Sequence, residues 1–213
     1  MTHEEIFQEA VNRMQQGRSD FLAALDGLSQ PQMDFRPAPS SWSIGEVAHH
    51  VVLTERMLRT RILELLQAGQ DGQGARRQIG FAELPMGPRM IPDFFLRFPP
   101  VQLSFSLMNA FLPQSVQSFL LANPFLKVRT APSVEPHAGL AKEEIVSLLR
   151  QERAGTLQAL EPGRAWDLSR YRWHHPMMGA HDIYQTLDLL AGHDRRHQVQ
   201  IAGIQRSPLF PSG

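Results

Sequence analysis

The chain of 213 residues contains no cysteine. This absence excludes disulfide bonds, thiolate metal sites and a cysteine nucleophile. Histidine and carboxylate side chains are the metal ligands that remain. Chemistry at sulfur would therefore need a thiol supplied from outside the chain.

The sequence also lacks an excess of either charge and an apolar leader. Basic and acidic residues each number 21, so the formal net charge is zero. Nucleic acids attract strongly basic surfaces, and we therefore expect no nucleic-acid partner. The first residues, MTHEEIFQEAVNRMQQ, are polar from the start and lack the apolar run of a secretory signal. The expected location is the cytoplasm.

Four segments repeat apolar residues at the spacing of an amphipathic helix. Capping-box pairs, Thr2 with Glu5 and Ser43 with Glu46, mark the starts of the first two segments. The predicted helices run from Thr2 to about Leu28, from Ser43 to about Ala68, from about Ala141 to Leu160, and from near Ala180 to before Pro208. No alternating strand pattern lies between them, so the sequence predicts an all-α four-helix bundle and a single domain over residues 1–213.

A long insertion, residues 70–140, separates the second and third predicted helices. It exceeds an ordinary helix connection and must contain structure of its own. Its central part, Ile91 to Lys127, is nearly free of charge and holds seven of the twelve phenylalanines. Prolines cut that part into pieces shorter than the roughly 20 residues that span a bilayer, so we expect no stable membrane insertion. Short helices forming a lid or homodimer surface, an apolar substrate-pocket wall, and membrane contact are the alternatives.

Two histidines occupy positions where the last helix would otherwise bury leucine. His193 and His197 fall on the apolar side of this helix, four residues and therefore one turn apart, which lets both side chains face one metal ion. On the second helix, His50 lies at the border of the apolar stripe, whereas His49 points away from it and is expected to be solvated. A histidine pair plus a third histidine from a facing helix would make a three-imidazole site with open coordination positions.

The same histidines have a purely structural explanation. A buried imidazole can be satisfied by hydrogen bonds, and a histidine pair at this spacing occurs by chance on helices. Glu46 and Asp194 stand close to the histidines in sequence and could orient an imidazole or accept a proton, but exposed helix-surface charge is the expected role of both. His174 and His175 precede the last helix and could line the mouth of the same cavity. No nucleophile elbow, phosphate-binding glycine loop, H-E-x-x-H or EF-hand pattern is present.

Two segments in order, SWSIGEVAHHVVLTE and HPMMGAHDIYQTLDLLAGHDRRHQVQI, resemble the DinB-like superfamily. The resemblance covers residues 2 to about 69 and 132 to 205. It implies a four-helix bundle of DinB/YfiT type in which His50, His193 and His197 bind a divalent metal, commonly nickel, zinc or iron. The insertion departs from the family pattern and leaves substrate size, cavity shape and dimer arrangement open.

The resemblance suggests a metal-dependent transferase that conjugates a small cellular thiol to an electrophilic small-molecule substrate. Family members of known chemistry use bacillithiol, mycothiol or glutathione, and the metal activates the sulfur. Two alternatives remain at this point. One is a metal-dependent hydrolase that uses the same histidines, and the other is a non-catalytic metal-binding stress-response or ligand-binding protein.

Overall fold

The structure is a computed structural model that describes residues 1–78, 132–175 and 179–212. The Phe-rich stretch Ile91 to Lys127 lies outside these ranges, and so does the greater part of the predicted insertion. The described chain is mostly helical with one small sheet.

Four long helices lie close to the predicted positions, and a short helix lies between the first two of them. The helices are α1 His3–Ala23, α2 Gln30–Asp34, α3 Ile44–Ala68, α4 Lys142–Leu160 and α5 Ile183–Gln205. Both predicted capping boxes are present, which explains why the starts of α1 and α3 could be read from the sequence. Among the described residues, no helix is sufficiently long and apolar to cross a membrane.

The long helices pack in a pattern that brings together distant parts of the chain. Helix α1 packs along α5, α3 packs along α4, and α3 also contacts α5. Their buried apolar side chains form two separate clusters. One lies around Met14, Leu58 and Leu190, and the other around Phe21, Val51 and Ile201.

A small three-stranded sheet corrects the expectation of an all-α fold. Its strands are β1 Ala75–Gln78, β2 Tyr171–His175 and β3 Gly179–Asp182, in the order β1-β2-β3. Strand β2 is parallel to β1 and antiparallel to β3. The last helix begins at Ile183 because the residues before it are taken up by β3, and the Asp182 side chain caps it by accepting from the Gln185 backbone N–H.

Four buried charged side chains, one from each long helix, lie between the two apolar clusters. These four side chains are joined to one another by hydrogen-bonded ion pairs: Arg18 Nη2 to Glu55 Oε2 at 2.6 Å, Arg18 Nε to Asp194 Oδ2 at 3.0 Å, and Arg153 Nε to Glu55 Oε1 at 2.8 Å. Arg153 Nη2 also lies 3.0 Å from Asp194 Oδ2. We refer to Arg18, Glu55, Arg153 and Asp194 as the charge layer. The predicted surface role of Asp194 was therefore wrong, since only 1% of this residue is exposed.

The charge layer is satisfied beyond its own ion pairs. Arg18 donates to the carbonyl oxygen of Leu149 at 2.7 Å, and Arg153 donates to the carbonyl oxygen of Met14. Burial opposes ionisation of Glu55, but the neighbouring guanidinium groups of Arg18 and Arg153 hold its pKa below the ordinary value. The layer therefore contains two cations and two partner carboxylates with full hydrogen bonding, which is the condition under which buried charge is tolerated.

The close approach of α1 and α5 predicts opposite effects for one substitution at two helical glycines. A Cβ atom at Gly17 would lie 3.1 Å from the Ala191 carbonyl oxygen and 3.2 Å from its Cα, so Gly17→Ala must push two helix backbones apart. We expect a loss of about 1–2 kcal/mol in the free energy of unfolding. A Cβ at Gly192 meets nothing within 4 Å, so Gly192→Ala should gain about 0.5–1 kcal/mol from helix propensity. Urea denaturation of both variants checks the prediction, and a stabilised Gly17→Ala protein would contradict it.

Candidate metal centre

The three histidines singled out in the sequence meet at one place in the structure. His50 comes from α3, and His193 and His197 come from consecutive turns of α5. Each offers a ring nitrogen, and these three atoms lie within 4.8 Å of one another. The ring centroids are 5.1 Å apart for His50 and His193, 5.0 Å for His50 and His197, and 4.3 Å for His193 and His197.

Two of the rings are held in place through the nitrogen that faces away from the cluster. His50 Nδ1 donates to the carbonyl oxygen of Val134 at 2.8 Å, and His197 Nδ1 donates to Oε1 of Gln200 at 2.8 Å. Carbonyl and amide oxygens only accept hydrogen bonds, so Nδ1 carries the proton in both rings. In the neutral rings, the Nε2 atoms of His50 and His197 are consequently left with a free lone pair. Such outward hydrogen bonds fix the tautomer and orientation of metal-binding histidines.

Burial and mutual proximity keep the three rings neutral. Burial lowers the pKa of His197 to about 3, with His50 adding to the effect. Burial also takes the pKa of His193 well below its ordinary value, and the neighbouring His197 and His50 lower it further. Burial likewise lowers the pKa of His50. Neutral imidazole is the form that binds metals, so the site offers its lone pairs at neutral pH.

The donor set fits a divalent transition metal. His193 Nε2 and His197 Nε2 lie 3.1 Å apart. Two nitrogens bound tetrahedrally to one zinc ion at the usual bond length would lie roughly 3.3 Å apart. Three imidazoles leave at least one coordination position open and suit zinc, nickel or iron. The three histidines therefore fit the divalent metal that the resemblance to the DinB-like superfamily implies.

The surroundings of the cluster include residues that the sequence did not point to as partners. The Thr54 hydroxyl lies 3.5 Å from His50 Nε2, one helical turn along α3. The Trp42 ring, directly before the Ser43 cap of α3, packs on His50 with 5.0 Å between ring centroids. No sequence signal marks Val134, because it acts through its backbone carbonyl. Gln200 lies in the segment HPMMGAHDIYQTLDLLAGHDRRHQVQI quoted above, and its position three residues after His197 is the signal that could have identified it.

Neighbouring residues that the sequence proposed for other roles lie elsewhere. His49 is buried, not solvated, because the backbone N–H of His137 donates to its Nδ1 at 2.9 Å. Glu46 is also buried: its carboxylate accepts from the Ser43 N–H at 2.8 Å and from Arg36 at 2.5 Å. The expected exposure of His49 and of Glu46 was therefore wrong. The distant segment at His137 covers His49, and Arg36, from the segment before α3, covers Glu46.

The remaining histidines considered in the sequence lie on the small sheet. His181, which falls within the range of the predicted last helix, lies instead on β3, buried and stacked on Trp173 with 5.3 Å between ring centroids. His174 is exposed on β2. The side chain of His175 falls outside the described part of the chain.

Comparison with known proteins gives one family match. A search of curated proteins and a search of solved structures each return no match. The sequence model of the DinB superfamily matches residues 13–201. That range includes α3, α4, all three clustered histidines and most of α1 and α5. On this match, which spans most of the sequence and agrees with the helical structure, the chain belongs to the DinB superfamily.

Proposed function

We propose that the protein is a metal-dependent transferase that joins a low-molecular-weight thiol to a small electrophile. The observation that carries the proposal is the convergence of three neutral imidazoles from two helices, with His50 and His197 oriented through their outer nitrogens. A three-imidazole site has open coordination positions, which suits reaction more than structural support. Because the chain contains no cysteine, the sulfur in this scheme comes from the thiol substrate.

In this proposal His50, His193 and His197 hold a divalent ion, with zinc, nickel and iron as the candidates. When bound, the ion supplies Lewis acidity that favours the ionised form of the thiol. The thiol releases its proton to solvent, its sulfur forms a bond to an electrophilic carbon, and the electron pair of the broken bond stays on the departing group or, for an epoxide, on the ring oxygen, which then takes up a proton. Val134 and Gln200 serve to hold the imidazoles, and Trp42 presents an aromatic surface beside His50.

The proposal extends to the whole chain. We propose one domain over residues 1–213, a four-helix bundle of DinB/YfiT type carrying an insertion over residues 70–140, working in the cytoplasm as a homodimer. The packing of α1 on α5 and of α3 on α4 supports the bundle. The described ends of the insertion, including β1 and the turn at Pro132–Val134, contact α3 and connect the insertion to the body of the fold.

Metal-dependent hydrolysis at the same histidines has weaker support. That reaction needs a group to accept a proton from water, and the sequence offered Glu46 for this role. In the structure the Glu46 carboxylate is occupied by the helix cap and by Arg36. A non-catalytic role for the metal is less consistent with a donor set to which the described part of the chain contributes three side chains.

The transferase proposal is tested by product analysis. Protein loaded with zinc, nickel or iron(II) is incubated with glutathione, bacillithiol or mycothiol and with an epoxide or a chlorodinitrobenzene. Mass spectrometry should detect a thiol adduct with at least one thiol, formed well above the uncatalysed rate. The His50→Ala variant, prepared in the same way, should form it no faster than the buffer. Absence of an adduct with all three thiols would overturn the transferase, and product formed without thiol would indicate hydrolysis instead.

A further inference from the structure

A second polar site lies at the small sheet. A cavity of about 410 Å³ opens between β1, β2 and the turn before β2. Its lining residues come from two chain segments: Gln73, Gly74, Ala75, Arg76, Ser169, Arg170 and Arg172. Three of the seven are arginines and none is acidic. We refer to Arg76, Arg170 and Arg172 as the arginine cluster.

The backbone of this cavity depends on one glycine. Gly74 has φ of +83°, and a Cβ atom there would lie 2.8 Å from Arg170 Cβ and 2.9 Å from the Arg170 carbonyl oxygen. Only glycine therefore allows the chain before β1 to approach Arg170 this closely. The parallel register then places Arg76 directly beside Arg172. The buried Tyr171 hydroxyl donates to the Gly69 carbonyl at 2.6 Å and ties β2 to the end of α3.

No acidic side chain is among the residues that line the cavity. Arg76 and Arg170 form no ion pair in the described part of the chain, and Arg172 donates its Nε–H to the Ser169 carbonyl at 2.8 Å. Two carboxylates lie nearby, outside the lining: Asp182 stands opposite Arg172 in the register of β2 and β3, and Asp167 lies within electrostatic reach of Arg170. The Asp182 side chain also caps α5, and that of Asp167 accepts from the backbone and the hydroxyl of Ser169. The cavity itself is lined by three guanidinium groups and no carboxylate, so its positive charge favours an anion.

We propose that this cavity binds a small phosphate-bearing molecule. Guanidinium groups donate paired hydrogen bonds that match the geometry of phosphate oxygens, and arginine is accordingly the preferred residue for phosphate recognition. The volume is sufficient for a small ligand. Position also separates this cavity from the histidines. Arg172 lies opposite Asp182 in the register of β2 and β3, and His193 follows Asp182 by eleven residues of helix, a rise of roughly 16 Å. The proposal is therefore independent of the metal centre.

Isothermal titration calorimetry with pyrophosphate at low ionic strength tests the proposal. The full chain should bind one pyrophosphate, and the Arg76→Gln/Arg172→Gln double variant should bind at least about tenfold more weakly, since two charge-assisted contacts are lost. The Arg164→Gln variant is the matched control because Arg164 is an exposed arginine already paired with Glu4. Its affinity for pyrophosphate should equal that of the unmodified protein. Circular dichroism and thermal melting establish that the double variant is folded.

Three results would overturn the proposal. They are no binding of pyrophosphate by the unmodified protein, equal binding by the double variant, and equal loss of binding in the Arg164→Gln control. Sedimentation with phosphatidylglycerol vesicles distinguishes a membrane surface as the source of the phosphate. Binding to vesicles without binding to soluble pyrophosphate is a case of the first of these results, and it would assign the arginine cluster to lipid headgroups.

Discussion

Replacing His50 by alanine should remove bound metal, whereas replacing the adjacent His49 should leave it in place. The two residues form a closely matched pair: both are buried on α3, and each hydrogen-bonds the chain segment 134–137 through Nδ1. Only His50 shares a cluster with His193 and His197. Loss of one of three ligands should reduce metal affinity by well over the 10–100-fold typical of losing an outer hydrogen-bond partner.

Elemental analysis after dialysis checks this expectation, followed by a competition titration with a chromogenic chelator. The unmodified protein and His49→Ala should each retain about one equivalent of metal per chain, and His50→Ala should retain close to none. Equal metal content in the two variants would contradict the assignment of the ligands. A cobalt(II) absorption spectrum that is unchanged by His50→Ala would contradict it as well, because the spectrum reports the ligands directly.

The second large effect is expected at the charge layer. Asp194→Asn should lower the free energy of unfolding by about 3–5 kcal/mol, because Arg18 and Arg153 are left buried with one carboxylate fewer. Asp188→Asn provides the matched control. Asp188 lies on the same helix and also pairs with an arginine of α1, Arg13, at 2.9 Å, but half of its side chain is exposed. That pair should be worth at most about 1 kcal/mol.

Urea denaturation in the presence of a chelator measures both variants without a contribution from bound metal. A loss below about 1 kcal/mol for Asp194→Asn would show that the charge layer does not hold the helices together as argued. Comparable losses in the two variants would contradict the role of burial, since burial is the principal difference between the two positions.

The long helices could be predicted because the sequence signals that mark them lie within the helices or directly beside them. The capping boxes at Thr2 and Ser43 and the apolar spacing along α3 act within a few residues, so they can be read without knowing the fold. The histidine pair on α5 was recognisable for the same reason. The sheet was missed because its strands have only four or five residues and carry charged side chains, as in ARRQ.

What the sequence could not predict depends on distant partners. Asp194 is a charged residue of a type that usually lies at the surface, and its burial follows from its ion pairs with Arg18 and Arg153 on other helices. The burial of His49 follows from the return of the chain at His137. A charged residue such as Asp194 is assigned to the solvent-facing side when only its own helix is considered, and this assignment fails where a fold assembles charged groups into a satisfied internal cluster.

Both internal polar clusters are divided in the same way along the chain. The first described range, residues 1–78, contributes Arg18 and Glu55, which are 37 residues apart, together with His50. The later ranges contribute Arg153 and Asp194, 41 residues apart, together with His193 and His197. The pairs that cross between these halves are separated by 98 residues for Glu55 and Arg153 and by 176 for Arg18 and Asp194. Each half thus carries its own charge pair, but neither carries a complete histidine cluster. During folding, the proposed metal site can form only when the two halves dock, so a bound ion would act as a cross-link between them and report that long-range step of assembly.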